Sequence, residues 1–361
     1  MSIVFSRYLY NTDEVKLTFI ECLLKQENLT ECYFWIYEFY KSGYVRETWN
    51  LLYKVYFDFF ALKNPKMEKK LNIYYEKWKE DNNVMNILWV VKNLFRFEKD
   101  YIIFMLRIYY NTRNTDILTG TDIIIDGFQY KKKEEIFLVK AIQQKKKIAI
   151  SYYLKKLIKS PSLIELLEKV LKKTISLNKF YDNIYHQLLV IIIKSFKIES
   201  KKKVYYKIVK VKEIKEVLAS DDSCKNDGKH EDVSYIYKTL LKRRLYGISS
   251  NLGCFKLCRD NIDLDHKFWY NWEYYAYKCP IWEQRFNKYK IKVNNKKELI
   301  DFENDNDLEE FYEKYGYEPD EQSTEVQEKS IKKIEKLVLK KWINGLFKDQ
   351  LTKNIRIKIE Y

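Results

Sequence analysis

Between Glu31 and Asn111, apolar and aromatic side chains return every three or four positions. Trp35, Ile36 and Phe39 lead to Trp49, Leu52, Tyr53, Tyr56 and Phe60. Met67, Leu71, Tyr74 and Trp78 follow, then Val84, Leu88, Val91 and Phe95. Stripes at that spacing mark helices with one buried face. The first helix is expected from Asn11 or Thr12, with Asp13 and Glu14 in its positive first turn. Asn28 or Thr30 caps the second, which is apolar nearly all round and therefore central, and Gly43 fits its end. A third runs from Val45 to Leu62. Asn64-Pro65 opens the fourth, residues 81–83 cap the fifth, and residues 98–100 begin a sixth.

Short links between these helices imply antiparallel neighbours. The chain is therefore read as all-α, with stacked antiparallel helical pairs in the style of an α-solenoid. It has no fixed-period consensus of the tetratricopeptide or ankyrin kind. Residues 112–129 break the pattern, and 123–125 allow a short strand. Past them, Ser162 and Glu165 have capping-box spacing before a stripe of Leu163, Leu166, Leu167, Val170 and Thr174. Residues 219–233 are polar and aperiodic, which marks a linker. A basic helix at 235–245, an aromatic block at 268–286, a helix at 331–347 and an edge-strand tail at 354–361 complete the reading. The expected divisions are an aromatic-rich array over 1–111, a Lys-rich layer over 112–220, a linker at 221–233 and a C-terminal module over 234–361.

Composition supports helices: 361 residues hold only 8 Gly and 4 Pro against 32 Tyr and 20 Phe. Scarce glycine also disfavours nucleotide-cofactor enzymes, whose phosphate loops need close backbone approach. The sequence has no P-loop, no G-x-G-x-x-G and no H-E-x-x-H, so neither enzymatic activity nor a cofactor is expected. The longest apolar runs fall well short of the ~20 residues of a membrane span, and an intracellular, soluble protein is expected.

Charge is distributed unevenly. The net charge is +16, and residues 131–220 alone hold 23 Lys and 8 acidic residues. A polyanionic partner, above all nucleic acid, would account for this; a merely solvated lysine surface is the simpler alternative. Lys131-Lys132-Lys133, Lys145-Lys146-Lys147 and Lys201-Lys202-Lys203 form clusters suited to successive phosphates. Tyr152, Lys155, Lys156 and Lys159 would share a helix face, placing a ring beside ammonium groups as single-strand binding favours. Lysine without arginine provides no bidentate forks, so sequence-independent contact is expected. Residues 301–328 reverse the sign, with 12 acidic residues against Lys314. That stretch is a solvated loop or an internal competitor for the lysines.

Other chemistry is thin. Cys254, Cys258, His266 and Cys279 would be a zinc set only at an unusual spacing, and buried free thiols explain them more simply. Cys22 and Cys32 read as core residues. His186 lies in an apolar helix, where a hydrogen-bonded core role is expected. Asp263, Asp265 and Glu273 give weak support for an acid/base site with His266. Trp269, Trp272 and Trp282, if exposed, would anchor a protein partner.

Glu31-Cys32-Tyr33-Phe34-Trp35-Ile36, Asn64-Pro65-Lys66-Met67-Glu68, Pro280-Ile281-Trp282-Glu283-Gln284-Arg285-Phe286 and Glu318-Pro319-Asp320-Glu321-Gln322-Ser323 carry a resemblance. With these segments the chain resembles a family of uncharacterised proteins of nucleocytoplasmic large DNA (giant) viruses. The resemblance implies a viral protein in the host cytoplasm, a viral factory or the virion, and brings no activity or functional residue. The expected role is a non-enzymatic binding or scaffold protein of viral gene expression or genome handling. The alternatives are a virion structural protein and a protein–protein adaptor.

Overall fold

The antiparallel pair expected at the start of the chain is present as α1 (Thr12–Lys25) and α2 (Leu29–Lys41). The Asn28 side chain accepts the Glu31 amide and starts α2, and every residue from Cys32 to Phe39 is buried. This computed structural model describes residues 3–110, 116–120, 124–196, 205–218, 245–255, 257, 262–315, 318–319 and 322–347. Within them the chain is all-α apart from one two-stranded hairpin.

The chain packs as two compact units along lines other than the sequence blocks. One unit comprises residues 1–51, 83–95 and 207–351; the other comprises 52–82 and 96–206, with the 352–361 tail outside the described residues. Sequence neighbours separate because α5 (Val84–Arg96) is tied to a distant stretch. Asn93 exchanges two hydrogen bonds with the Lys207 backbone, and Lys92 Nζ meets both Glu213 carboxylate oxygens at 2.6 and 2.7 Å. Glu213 lies in α11 (Val211–Leu218), which packs on α2.

In the first unit a buried carboxylate fixes the N-terminal segment. Glu38 accepts Ser6 Oγ at 2.6 Å, the Tyr8 amide at 2.8 Å and Arg7 Nε at 3.1 Å. Removing a buried charge from water is costly unless it is paired and hydrogen-bonded, and here it is both. Beyond a 3₁₀ turn at Ser250–Phe255 come α12 (Leu264–Tyr270), α13 (Trp272–Tyr277) and α14 (Pro280–Phe286), which opens on its proline. Strands β1 (Ile291–Asn294) and β2 (Leu299–Phe302) pair antiparallel, with Ile291 opposite Phe302. Helix α15 (Asp305–Tyr315) then brings Phe311 into an aromatic core, 4.5 Å from the Phe286 ring and 5.2 Å from Phe302.

Two expectations change here. The acidic stretch is no simple solvated loop, because Phe311 buries one face of its first helix. Of the helix expected over 331–347 only α17 (Leu339–Leu346) forms; α16 (Thr324–Ile331) ends at its expected start, and residues 332–338 between them are non-helical. That connection passes close to Gly253, where a Cβ would stand 1.9 Å from the Glu335 carbonyl oxygen. Residues 235–244 and 354–361 lie outside the described residues.

The second unit begins where α3 (Val45–Val55) runs into a π-helix at Tyr56–Phe60. Helix α4 (Met67–Asp81) starts just after Pro65. Short α6 (Ile102–Met105), begun by Asp100 accepting the Ile102 amide, runs into a second π-helix at Leu106–Tyr110. Helices α7 (Lys133–Gln143) and α8 (Lys147–Leu157) pair closely, followed by α9 (Leu163–Leu171) and α10 (Ile184–Ser195). Ser162 makes no side-chain cap for α9; its hydroxyl donates instead to buried Glu135 at 2.8 Å. Residues 124 and 125 form no strand, and 121–123 lie outside the described residues.

Candidate nucleic-acid interface

The α7–α8 hairpin carries most of the lysines singled out above. Its inner face is a conventional core of Leu138, Val139, Ile142, Ala149, Ile150 and Leu154, all buried. Its start is fixed by Glu135, which accepts the Lys131 and Lys132 amides at 2.7 and 3.2 Å. Burial opposes charge on that carboxyl, but these amides and Ser162 outweigh it and hold its pKa below the ordinary value. The hairpin turn is a Schellman motif. Lys146 N–H donates to the Ala141 carbonyl and Lys145 N–H to Ile142, with Lys145 itself left-handed at φ +54°.

Lys131, Lys132 and Lys133 gather at the start of α7, and Lys145 and Lys146 at the turn; all five are exposed, and Lys147 is half-buried. Exposed Lys155, Lys156 and Lys159 stand at the other end of α8. Because the helices are antiparallel, the 155–159 group returns to the end that carries 131–133. Turn and open end are separated by roughly 16 Å along 11 residues of helix. The described ion pairs of this unit use Lys79, Lys169, Lys179, Arg107 and His186, and none of these α7–α8 lysines.

Aromatic rings lie among these ammonium groups. Half-buried Phe137 of α7 and Tyr153 of α8 approach to 5.2 Å between centroids, and Tyr152 lies 5.1 Å from Tyr153. Lys133 Nζ sits 5.6 Å from the Phe137 centroid and Lys156 Nζ 4.7 Å from that of Tyr152. The single face expected for Tyr152, Lys155, Lys156 and Lys159 divides. Lys155 turns to the ring of buried Tyr185, 5.1 Å away, and Lys159 lies past the end of α8. Lys201, Lys202 and Lys203 lie outside the described residues.

The tryptophan expectation needs correction. Trp272 and Trp282 are 2% and 0% exposed, with centroids 5.2 Å apart, and Trp282 Nε1 donates to the Ser6 carbonyl at 3.0 Å. They are core residues because their rings close the space around Phe311; Trp269 is half-buried. The acid/base grouping also separates: Asp263 caps α12 by accepting the His266 amide, whereas Glu273 accepts the Tyr312 hydroxyl. Cys254 and Cys279 are buried thiols that burial pushes up, Cys279 to about 12, and Cys279 Sγ donates to the Ser42 carbonyl at 3.1 Å. Cys258 and His230 lie outside the described residues. Among the described residues no three His, Cys, Asp or Glu side chains are placed to hold a metal ion.

A cluster that sequence reading missed lies inside the second unit. Asp58, from the first π-helix, takes two hydrogen bonds from Arg107 of the second, at 2.7 and 2.8 Å. His186 Nε2 stands 3.0 Å from Asp58 Oδ1, and its Nδ1 meets the Tyr181 hydroxyl at 2.8 Å. Burial works against the Asp58 charge, but His186 and Arg107 more than offset it and lower its pKa to about 2. The order carboxylate, imidazole, hydroxyl is that of a catalytic triad. However, burial, and Asp58 nearby, push the Tyr181 phenol well up, so it keeps its proton at neutral pH. A cavity of about 80 Å³ near Phe57, Glu68 and Gln187 is far below the ~300 Å³ of small cofactor sites. The hydrogen-bonded core role expected of His186 holds, and the only other hint of this network was an acidic residue in an otherwise apolar helical window.

Fold and surface together describe an all-α protein with a lysine-rich helical face. Compared with family models, curated proteins and solved structures, the chain matches none of them. Among the described residues no helix is long and apolar enough to cross a membrane.

Proposed function

We propose that the protein is a non-enzymatic nucleic-acid-binding scaffold that contacts phosphate backbones through the α7–α8 hairpin. The observation behind this reading is that exposed lysines outside any described ion pair flank a cluster of half-buried rings. Ammonium groups would neutralise phosphates, and the rings would offer stacking surface; without arginine forks the contact is sequence-independent. We further propose that this role belongs to viral gene expression or genome handling; the resemblance to giant-virus proteins supports a viral protein acting in the host cytoplasm, a viral factory or the virion.

Fluorescence anisotropy of labelled single- and double-stranded DNA and RNA across a salt series tests this reading. Log affinity should fall linearly with log salt, by roughly 0.7–0.9 per phosphate neutralised. Changing Lys145, Lys146 and Lys147 together to Glu should weaken binding and flatten that slope. Absence of binding at low salt would reduce these lysines to a solvated surface.

A further inference from the structure

Cys22 and Cys32 lie on the facing sides of α1 and α2, in the pair that anchors the first unit. Cys32 Sγ stands 2.8 Å from Cys22 Sγ, and Cys22 Sγ stands 3.3 Å from the carbonyl of Asn28, the residue that caps α2. Both side chains are buried, Cys22 at 8% exposure and Cys32 at 0%. The remaining separation from a disulfide bond of about 2.05 Å is less than 1 Å. Both helices are anchored: α2 by its Asn28 cap, and α1 by Glu21, which accepts the Asn251 side-chain amide and the Ser249 hydroxyl.

We propose that Cys22 and Cys32 form an oxidisable dithiol, a modification site at which peroxide closes an intrachain disulfide across the α1–α2 turn. Cys22 reacts first because its sulfur is the less enclosed. Its thiol gives up its proton and the thiolate attacks hydrogen peroxide; the O–O bond breaks, sulfur takes one hydroxyl as a sulfenic acid, and the other leaves with that proton as water. Cys32 sulfur then attacks the Cys22 sulfur. The S–S bond forms, the S–O bond breaks, and the hydroxyl leaves with the Cys32 proton as a second water. The two thiols lose two electrons and two protons, and peroxide is reduced. In the reduced protein the Cys22 thiol donates to the Asn28 carbonyl at 3.3 Å, which sets its sulfur beside Cys32 before oxidation begins. The proposal does not rest on nucleic-acid binding.

Trypsin reads the outcome directly, because Lys25 lies between the cysteines. The full-length native protein is treated with graded hydrogen peroxide, quenched, blocked with an alkylating reagent and digested without reductant. The expected product joins peptide 17–25 to peptide 26–41, two hydrogens lighter than their sum, and reverts on reduction. It should appear at lower peroxide than any link involving Cys224, Cys254, Cys258 or Cys279. In the Cys32→Ser variant, Cys22 should instead proceed to sulfinic acid. Recovery of both native peptides fully alkylated, or of Cys22 over-oxidised without a link, would overturn the assignment. So would a random mixture of cysteine pairings.

Discussion

His186 and Asp58 meet at 3.0 Å with both side chains almost wholly shut off from solvent, at 0% and 3% exposure. The imidazole therefore lies between a carboxylate on one side and the Tyr181 hydroxyl on the other, while Arg107 donates one hydrogen bond to each carboxylate oxygen. The Nε2 contact to Asp58 is a close electrostatic approach, and the Nδ1 contact to the Tyr181 hydroxyl, at 2.8 Å, is a hydrogen bond. Breaking such a set leaves a buried charge behind, which costs about 3–5 kcal/mol. Asp58→Ala and His186→Ala should each lose that order of stability in urea unfolding. A loss below about 1 kcal/mol would mean that water replaces the missing partner.

The same carboxylate makes a pH prediction. Its folded pKa, about 2, lies below the unfolded value of about 3.9, so the unfolded chain binds the proton more readily. Its stabilising contribution is complete above pH 4 and is lost as pH falls from about 4 towards 2. The difference amounts to about 2–3 kcal/mol. Wild type should lose stability more steeply over that window than Asp58→Asn, measured by denaturant titration at each pH. Parallel curves would show that Asp58 does not carry this linkage.

Lys145 separates charge from fold. It occupies the left-handed position of a Schellman turn, where glycine is preferred by about 1 kcal/mol. Lys145→Gly should therefore raise the melting temperature while weakening nucleic-acid binding by only one phosphate contact. Lys145→Glu should weaken binding more and stabilise nothing. Calorimetry and anisotropy on the two variants decide the matter.

Trp282 and Trp272 provide a test of the adaptor alternative. Trp282→Ala removes a fully buried indole from the cluster around Phe311 and should cost about 3–5 kcal/mol. A variant of unchanged stability that lost a protein partner in co-purification would restore the surface role.

Among the described glycines, Gly253 has the closest neighbour to an added Cβ. A methyl group there would meet the Glu335 carbonyl oxygen at 1.9 Å, so the 335–337 segment must retreat. Gly253→Ala should destabilise by about 1–3 kcal/mol. Hydrogen exchange should rise at residues 335–343, including α17, before it rises at α2.

Much of the secondary structure was legible because single residues enforce it. Asn28 stops and restarts the chain between α1 and α2, Asp100 begins α6, and the 3.6-residue stripe of α2 leaves no solvent face. The C-terminal half was harder to read. The Ile331–Phe347 spacing satisfies a helix throughout, yet residues 332–338 are non-helical beside the turn at Gly253, a partner about 80 positions away. The buried indoles of Trp272 and Trp282 read equally well as surface anchors, since a sequence shows aromatic character but not what covers it. Of the candidate interface, the lysine clusters were visible and the ring contact between Phe137 and Tyr153 was not, because it depends on how α7 and α8 pair. The Asp58 network was still less legible. Its members lie at 58, 107, 181 and 186, and no local pattern joins them.

The hold of the N-terminal segment has a temporal consequence. Phe5 N–H donates to the Tyr275 carbonyl, and Trp282 donates to Ser6, across 276 positions of chain. At the usual 5–20 residues per second, roughly 15–55 s separate the synthesis of these partners. During that interval Ser6 and its neighbours have α2 to rest on but not α13 and α14, whereas every residue of the 52–82 and 96–206 unit has already been made. Residues 52–206 thus leave the ribosome while the N-terminal segment still waits for its closing strap.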